Sequence, residues 1–364
     1  RNKMEFSKGK ISAFQFFTML FLTRTLTTVT YLSSYTENIR LSDMLIQPIF
    51  RIVIGTFIML PLYFLYKKNR DKNLLDMLSI KSKVIARVVA VIFIVFFFYF
   101  TVVTIARLDL FAGTVVFPET DLTYILIFAI VLCCYGAFLG LEALGRSAVI
   151  SIAFVVPALV FIMVTLFKKV DLLNLTPLFY NGVTPVVKVA IDSVGQTVEY
   201  AIIATALPRV TGNIKKGFFI WLILQTLLMA VMFFFACTVM GNFASTQLFP
   251  FHTLASLAEF SMFSRLDAVF TSVWIMCAFI KAGLLIYLQT DILTTHFGKV
   301  KRTSYILIVG LLTIIANLLI SGQINWFTIV DDSTIKIVLT GITVVLLPTA
   351  VLITCRKEKL RCEK

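Results

Sequence analysis

Residues Val84 to Ala106 read VIARVVAVIFIVFFFYFTVVTIA, and beyond Arg87 nothing in the run carries a charge. A helix crossing the ~30 Å hydrocarbon core of a bilayer needs roughly 20 mostly apolar residues, because every backbone polar group must be bonded inside the segment. This run meets that condition. The rest of the chain is of the same kind: 59% of its 364 residues are hydrophobic, 14% are charged and 35 are phenylalanine. That leaves too little polar surface to cover a water-soluble globule.

Working outward from Val84 to Ala106, the sequence predicts ten transmembrane helices in an all-α integral membrane fold. They are Ser12 to Leu32, Met44 to Tyr66, Val84 to Ala106, Leu122 to Leu139, Ser147 to Phe167, Val187 to Leu207, Phe218 to Met240, Ala268 to Leu288, Tyr305 to Ile320 and Ile335 to Thr354. Short loops join them into a single transmembrane domain over residues 1–364. The first span is too long and too rich in threonine for a cleaved signal peptide and is expected to remain.

The net charge of +14 would suggest nucleic acid in a soluble protein, but here its distribution matters more. Alternate loops hold 23 of the 33 Lys and Arg residues: the N-terminus, Lys67 to Arg87, Arg146, Arg209 to Lys216, Lys299 to Arg302 and the tail from Arg356. The opposite set holds Arg40, Arg107, Lys168, Lys169, Lys188, Arg265 and Lys336, with acids such as Glu37, Asp331 and Asp332. The positive-inside rule then places both termini in the cytoplasm and the chain in the cytoplasmic membrane, with the lipid bilayer as partner and no role for nucleic acid.

Little in the sequence supports catalysis. Cys133, Cys134, Cys237 and Cys277 fall in spans, Cys355 and Cys362 in the tail, and no CxxC pair occurs. Only His252 and His296 are present, so neither a His-based metal site nor a Ser/His/Asp triad can be assembled within the membrane. There is no phosphate-binding loop, and Gly136-x-x-x-Gly140 is at best a helix-packing motif. The expectation is a protein that is not an enzyme and needs no cofactor.

Five spans per half place the second half upside down relative to the first. This permits the 5+5 inverted-repeat (LeuT-like) arrangement of many secondary transporters, with repeat one at about 11–168, repeat two at about 183–355 and a tail at 356–364. In that arrangement spans one and six are broken near the midplane, and both have irregular sequence. Span one contains TRTLTTVT from Thr23 to Thr30, and span six contains DSVGQTVE from Asp192 to Glu199. The bland reading of the first is that threonine hydroxyls bond back to the preceding turn while Arg24 snorkels or pairs with an acid.

Glu199 precedes Arg209 by ten residues, which at ~1.5 Å per residue places it about 15 Å from the span's end. A carboxylate at that depth points to ligand or proton handling, with a structural hydrogen bond as the alternative. Lys281, in the middle of span eight, is a third deep charge. It would stand in for a sodium ion bridging spans one and eight, or tether to Glu199 or to backbone.

Specific motifs then make the chain recognisable. Ser264-Arg265-Leu266-Asp267-Ala268-Val269-Phe270, followed by Trp274 and Phe279-Ile280-Lys281, resembles the entry to span eight in the B subunit of spore germination nutrient receptors. This is the endospore germination permease branch of the amino acid, polyamine and organocation transporter superfamily. Phe117-Pro118-Glu119-Thr120, Gly140 to Arg146, Asn174-Leu175-Thr176-Pro177 with Asn181-Gly182, and Glu199 with Pro208 agree with it. The loop motifs also have plain structural readings: Asp121 caps span four, Glu142 and Arg146 form an i,i+4 pair, and Asp267 complements the start of span eight. Two departures stand out: Asp121 replaces a second proline, and span one lacks the usual glycine-centred break.

The resemblance implies a germinant receptor subunit of the spore inner membrane, which binds a small nutrient such as an amino acid. It would signal with a larger membrane subunit and a lipoprotein. The nutrient is expected between broken spans one and six, with spans three and eight as walls. Arg24, or N–H groups freed around Thr25, Thr27 and Thr28, would take a carboxylate. Gly195, Gln196, Thr197 and Glu199 would take an ammonium or hydroxyl, and Tyr99 is either a gate or a packing residue. The same charges would also serve a proton-coupled amino acid or polyamine transporter, or a scaffold subunit that has lost its ligand.

Overall fold

The computed structural model describes residues 10–30, 41–68, 72–119, 122–176, 182–259, 266–298, 300–321 and 323–353. Asp121, Asn181, Ser264, Arg265, the tail 356–364 and its Cys362, together with Cys355, lie outside these residues. Among the described residues the fold is all-α apart from one short pair of strands.

Among the described residues, seven helices are long and apolar enough to cross a membrane by length and composition. They include α2 (Gln47–Lys68), α4 (Lys83–Phe111), α6 (Leu141–Leu166), α9 (Ile214–Phe235), α11 (Asp267–Phe297) and α12 (Arg302–Ile320). The seventh runs through α13 (Ile324–Val330) and α14 (Ser333–Thr340) to Ile353. The other three sequence-predicted spans are also helical, but each is shorter. α1 (Ala13–Val29) and α5 (Thr123–Leu139) have 17 residues each, and the sixth span is divided into α7 (Thr184–Gly195) and α8 (Glu199–Ala206).

The side chains are arranged for lipid. On α12, Val309, Gly310, Thr313 and Asn317 turn inward at helical spacing while Leu307, Leu311 and Leu319 face out. α5 likewise buries Cys133, Gly136 and Ala137 and exposes Tyr124, Phe128 and Tyr135. Small and polar residues at helix contacts with large apolar ones outside are what lipid as solvent selects. Gly136 meets the Phe279 ring of α11, so the expected packing role holds for it, whereas Gly140 sits in a turn at φ +97°. That turn ends α5 and starts α6 at Leu141, ahead of the predicted Ser147. A further short helix, α3 (Leu74–Lys81), occupies the basic loop that the sequence reading left without structure; its signal is the Asn73–Asp76 capping box.

The first helix corrects an expectation. α1 is continuous from Ala13 to Val29, so the N–H groups of Thr25, Thr27 and Thr28 stay within the helix. Its hydroxyls donate to carbonyls one turn back, Thr25 to Phe21, Thr27 to Thr23 and Thr28 to Arg24. Threonine can satisfy its hydroxyl this way without opening the helix.

The sixth helix does break, at Gln196 to Val198. Gly195 lowers helix propensity there, and the Thr197 hydroxyl donates to Ser193 O at 3.0 Å, competing with the backbone. Carbonyls left by the break are taken from outside: Gly195 O accepts from the Thr340 hydroxyl at 2.7 Å.

Three tethers fix the surrounding helices. Strand β1 (Ile11–Ser12) pairs in parallel with β2 (Val210–Thr211), joining the start of α1 to the chain just after α8. Arg209, in the same turn, bonds Asp291 of α11 at 2.7 Å, and the guanidinium groups of Arg209 and Arg302 both approach the Tyr287 ring. On α4, Arg107 holds both carboxylate oxygens of Asp331 at 3.1 and 3.0 Å, and Lys336 of α14 donates to the same carboxylate at 2.6 Å. Sequence reading placed Arg107, Asp331 and Lys336 in loops; their side chains are in fact buried together.

Two outcomes follow for purified protein in detergent. Asp331→Asn leaves two buried cations without their carboxylate, so stability should fall by about 3–5 kcal/mol, and adding Lys336→Met should recover part of it. At Gly195, a Cβ would lie 2.6 Å from Ile337 Cγ1 and 3.1 Å from the Ile337 backbone. Gly195→Ala should therefore lower the thermal midpoint by overpacking worth about 1–3 kcal/mol, and Ile337→Ala in the same chain should relieve some of it.

Candidate functional site: a polar hollow at the broken helix

Arg24 is buried on α1 and reaches across to the broken helix. Its Nη2 donates to Ser193 Oγ at 2.7 Å, and its Nη1 donates to Ser193 O at 3.3 Å and Thr197 Oγ1 at 3.2 Å. The positive charge thus sits against oxygens exposed where α7 ends. Lys281 of α11 reaches α1 one turn further along, donating to Thr27 Oγ1 at 2.7 Å. It bridges α1 and α11 as the sequence suggested, but through a side-chain hydroxyl and not through Glu199 or backbone.

Two adjoining hollows of about 60 and 20 Å³ lie between these elements and share Thr27, Thr30, Arg107 and Gln196 in their walls. A buried water occupies ~10–15 Å³ on this scale, so the larger holds several waters or the head of a small solute. Arg24, Thr28, Asp192 and Ser193 complete the polar wall of the larger one. Lys281 and Lys336 line the smaller one beside Phe100 and Trp274. Trp274 donates to Thr30 Oγ1 at 2.7 Å and stacks on Phe111 at 4.6 Å, which fixes the apolar side.

The charges on these walls are unequal. Arg24, Arg107, Lys281 and Lys336 face the space, while Asp331 is already engaged by Arg107 and Lys336. Asp192, half-buried on α7, is the carboxylate on the wall. An anionic group suits the cationic side, and an ammonium suits Asp192 and Gln196.

Of the sequence-predicted residues, Arg24, Thr27, Thr28, Gln196 and Lys281 come together around the hollows. Thr197 stands behind them as a partner of Arg24. Thr25, Tyr99 and Gly195 line neither hollow. The Thr25 hydroxyl is spent on its own helix, Gly195 packs on Ile337, and the Tyr99 hydroxyl donates to Val330 O at 2.7 Å, tying α4 to α13. Glu199 also stands off the walls. It is 0% exposed at the start of α8, within electrostatic reach of Arg24, Arg51 and Lys281, and neither of its carboxylate oxygens has a hydrogen-bond partner among the described residues.

Sequence reasoning missed Arg107, Asp192, Ser193 and Lys336. Asp192 and Ser193 were within the quoted polar run and could have been included. Arg107 and Lys336 looked like loop charges at span ends, and only the fold brings them inward.

Comparison with known proteins agrees with this architecture. The family model described as "Spore germination protein" matches residues 10–324. YfkT of Bacillus subtilis (strain 168), whose name provisionally assigns it to spore germination, is 24% identical over 319 residues, covering 85% of this chain and 87% of that protein. Such a family is of permease type and not an enzyme family. With apolar helices of membrane-crossing length and a family match running from the first helix to the start of α13, this chain is an integral membrane protein that belongs to the spore germination permease family.

Proposed function

We propose that this chain is the membrane subunit of a nutrient germinant receptor, binding a small molecule, best an amino acid, in the hollow beside the break in helix six. The observation that carries this reading is the wall chemistry: Arg24 and Arg107 share the larger hollow with one carboxylate, Asp192, and Lys281 lines the adjoining smaller one. The ligand carboxylate would lie among the cations and its ammonium at Asp192. Family membership supports the germination role.

Ligand binding shifts a conformational equilibrium only by its differential affinity for the two states. A carboxylate drawing Arg107 and Lys336 toward Arg24 would pull α4 and α14 against α1 and α7. A larger membrane subunit and a lipoprotein would sense that movement. Ten spans in a 5+5 inverted repeat, both termini cytoplasmic, and residence in the spore inner membrane belong to this reading; the split sixth helix and the alternating loop charges support them. It requires no catalysis. The unpartnered Glu199 favours a second reading, a proton-coupled amino acid or polyamine transporter.

The test is dipicolinic acid release from spores carrying or lacking the chain, in a strain without paralogous receptors, challenged with single amino acids, nucleosides and sugars. Deletion should abolish the response to one nutrient class. Asp192→Asn should raise the half-maximal nutrient concentration by roughly 10-fold, the worth of one charge-assisted bond. An unchanged response to every nutrient sinks the receptor reading. Uptake into liposomes by the chain alone, driven by a pH gradient and lost in Glu199→Gln, would establish the transporter instead.

A further inference from the structure

A second polar cluster lies next to the larger hollow but outside it. On α2, Gln47, Arg51 and Gly55 recur at every fourth position and share a face; on α9, Trp221, Gln225 and Met229 do the same. These faces meet: Arg51 Nη2 donates to Gln225 Oε1 at 3.0 Å. Tyr200 of α8 closes the third side, its hydroxyl lying over Gly55 and its ring 6.4 Å from that of Trp221. Gln47 and Met229 line the larger hollow, so the cluster adjoins it, while Arg51, Trp221 and Gln225 line neither hollow.

The cluster is buried and rich in donors. Gln47, Arg51, Trp221 and Gln225 are each 2% exposed or less. Arg51 Nε and Nη1, Gln47 Nε2, Gln225 Nε2 and Trp221 Nε1 have no hydrogen-bond partner among the described residues. Among the described residues, one neutral amide oxygen, Gln225 Oε1, accepts from Arg51. A buried guanidinium in a membrane protein calls for an anion or several oxygens, because its desolvation costs several kcal/mol. Glu199 is the neighbouring carboxylate, but Arg24 and Lys281 lie within its electrostatic reach as well as Arg51, and these three cations outnumber Glu199 and Asp192 by one. Water would satisfy the amides and the indole without changing that balance.

We propose that this cluster binds a small inorganic monovalent anion, of the size and charge of chloride, held by Arg51 with the N–H groups of Gln47, Gln225 and Trp221. The ion ties α2 to α9 beside α8 and enters through the larger hollow past Gln47. It is a different site from the one proposed for the nutrient, and each stands or falls alone.

The experiment uses the full chain in nanodiscs of zwitterionic lipid, with thermal unfolding followed at constant ionic strength while sodium chloride or bromide replaces sodium gluconate. The midpoint should rise saturably by a few degrees with either halide. Arg51→Met should abolish the halide response. Gln225→Leu, which keeps the charge, should weaken half-saturation by roughly 10-fold. Glu142→Gln, in the exposed pair with Arg146, should leave it unchanged. Equal midpoints in chloride and gluconate overturn the proposal, as does a wild-type halide response in Arg51→Met. If Arg51→Met does not fold, Gln225→Leu decides, and an unchanged half-saturation overturns it.

Discussion

A charge taken out of water into a protein that is itself solvated by lipid must be met by oxygen atoms or an opposite charge, and this requirement organises the interior. Arg24 shows how. It sits on an unbroken helix that has no spare carbonyls, because the threonine hydroxyls around it are already bonded to their own turn. Its oxygens come from α7, at the point where helix six opens. The cation and the break therefore stabilise each other: the guanidinium fills the Ser193 carbonyl and hydroxyl, and the break leaves them accessible.

The same logic runs outward from that contact. Lys281 meets Thr27 one turn along α1, and Arg107 and Lys336 share Asp331. Each tether joins helices distant in sequence, so the polar interior is also what fixes α4, α11 and α14 around α1. Between the tethers remains a hollow whose walls carry more positive charge than negative. That excess is the physical basis for the anionic ligand group in the proposed function. It is also the kind of imbalance a ligand can exploit, since binding relieves a charge that the fold alone leaves incompletely met.

The ends of helices one and six are secured differently. The β1–β2 pairing and the Arg209–Asp291 contact hold them at one end of the molecule, while Trp274, Phe111 and Thr30 cover the apolar wall of the smaller hollow. Backbone pairing and a half-buried ion pair can part and re-form at modest cost, unlike the interdigitated core. The tethered end is thus suited to a change of state.

The long apolar runs alone set the solvent, the helical class and the approximate positions of the long helices, because hydrocarbon thickness and backbone bonding leave one solution for such runs. The sequence also located the break in helix six, through a glycine amid polar residues, and singled out Arg24, Glu199 and Lys281, since charges deep in apolar runs stand out. It misjudged span one, where a threonine-rich run could equally open a helix or bond back to it, and only the packed helix decided between them. It could not show that Arg107 meets Asp331, or that Arg51 meets Gln225, because these partners are 224 and 174 residues apart and separated by whole helices. Hydropathy reports what one segment prefers as solvent; which side chains share a buried site is settled when helices pack and each buried charge finds the oxygen that three-dimensional proximity supplies.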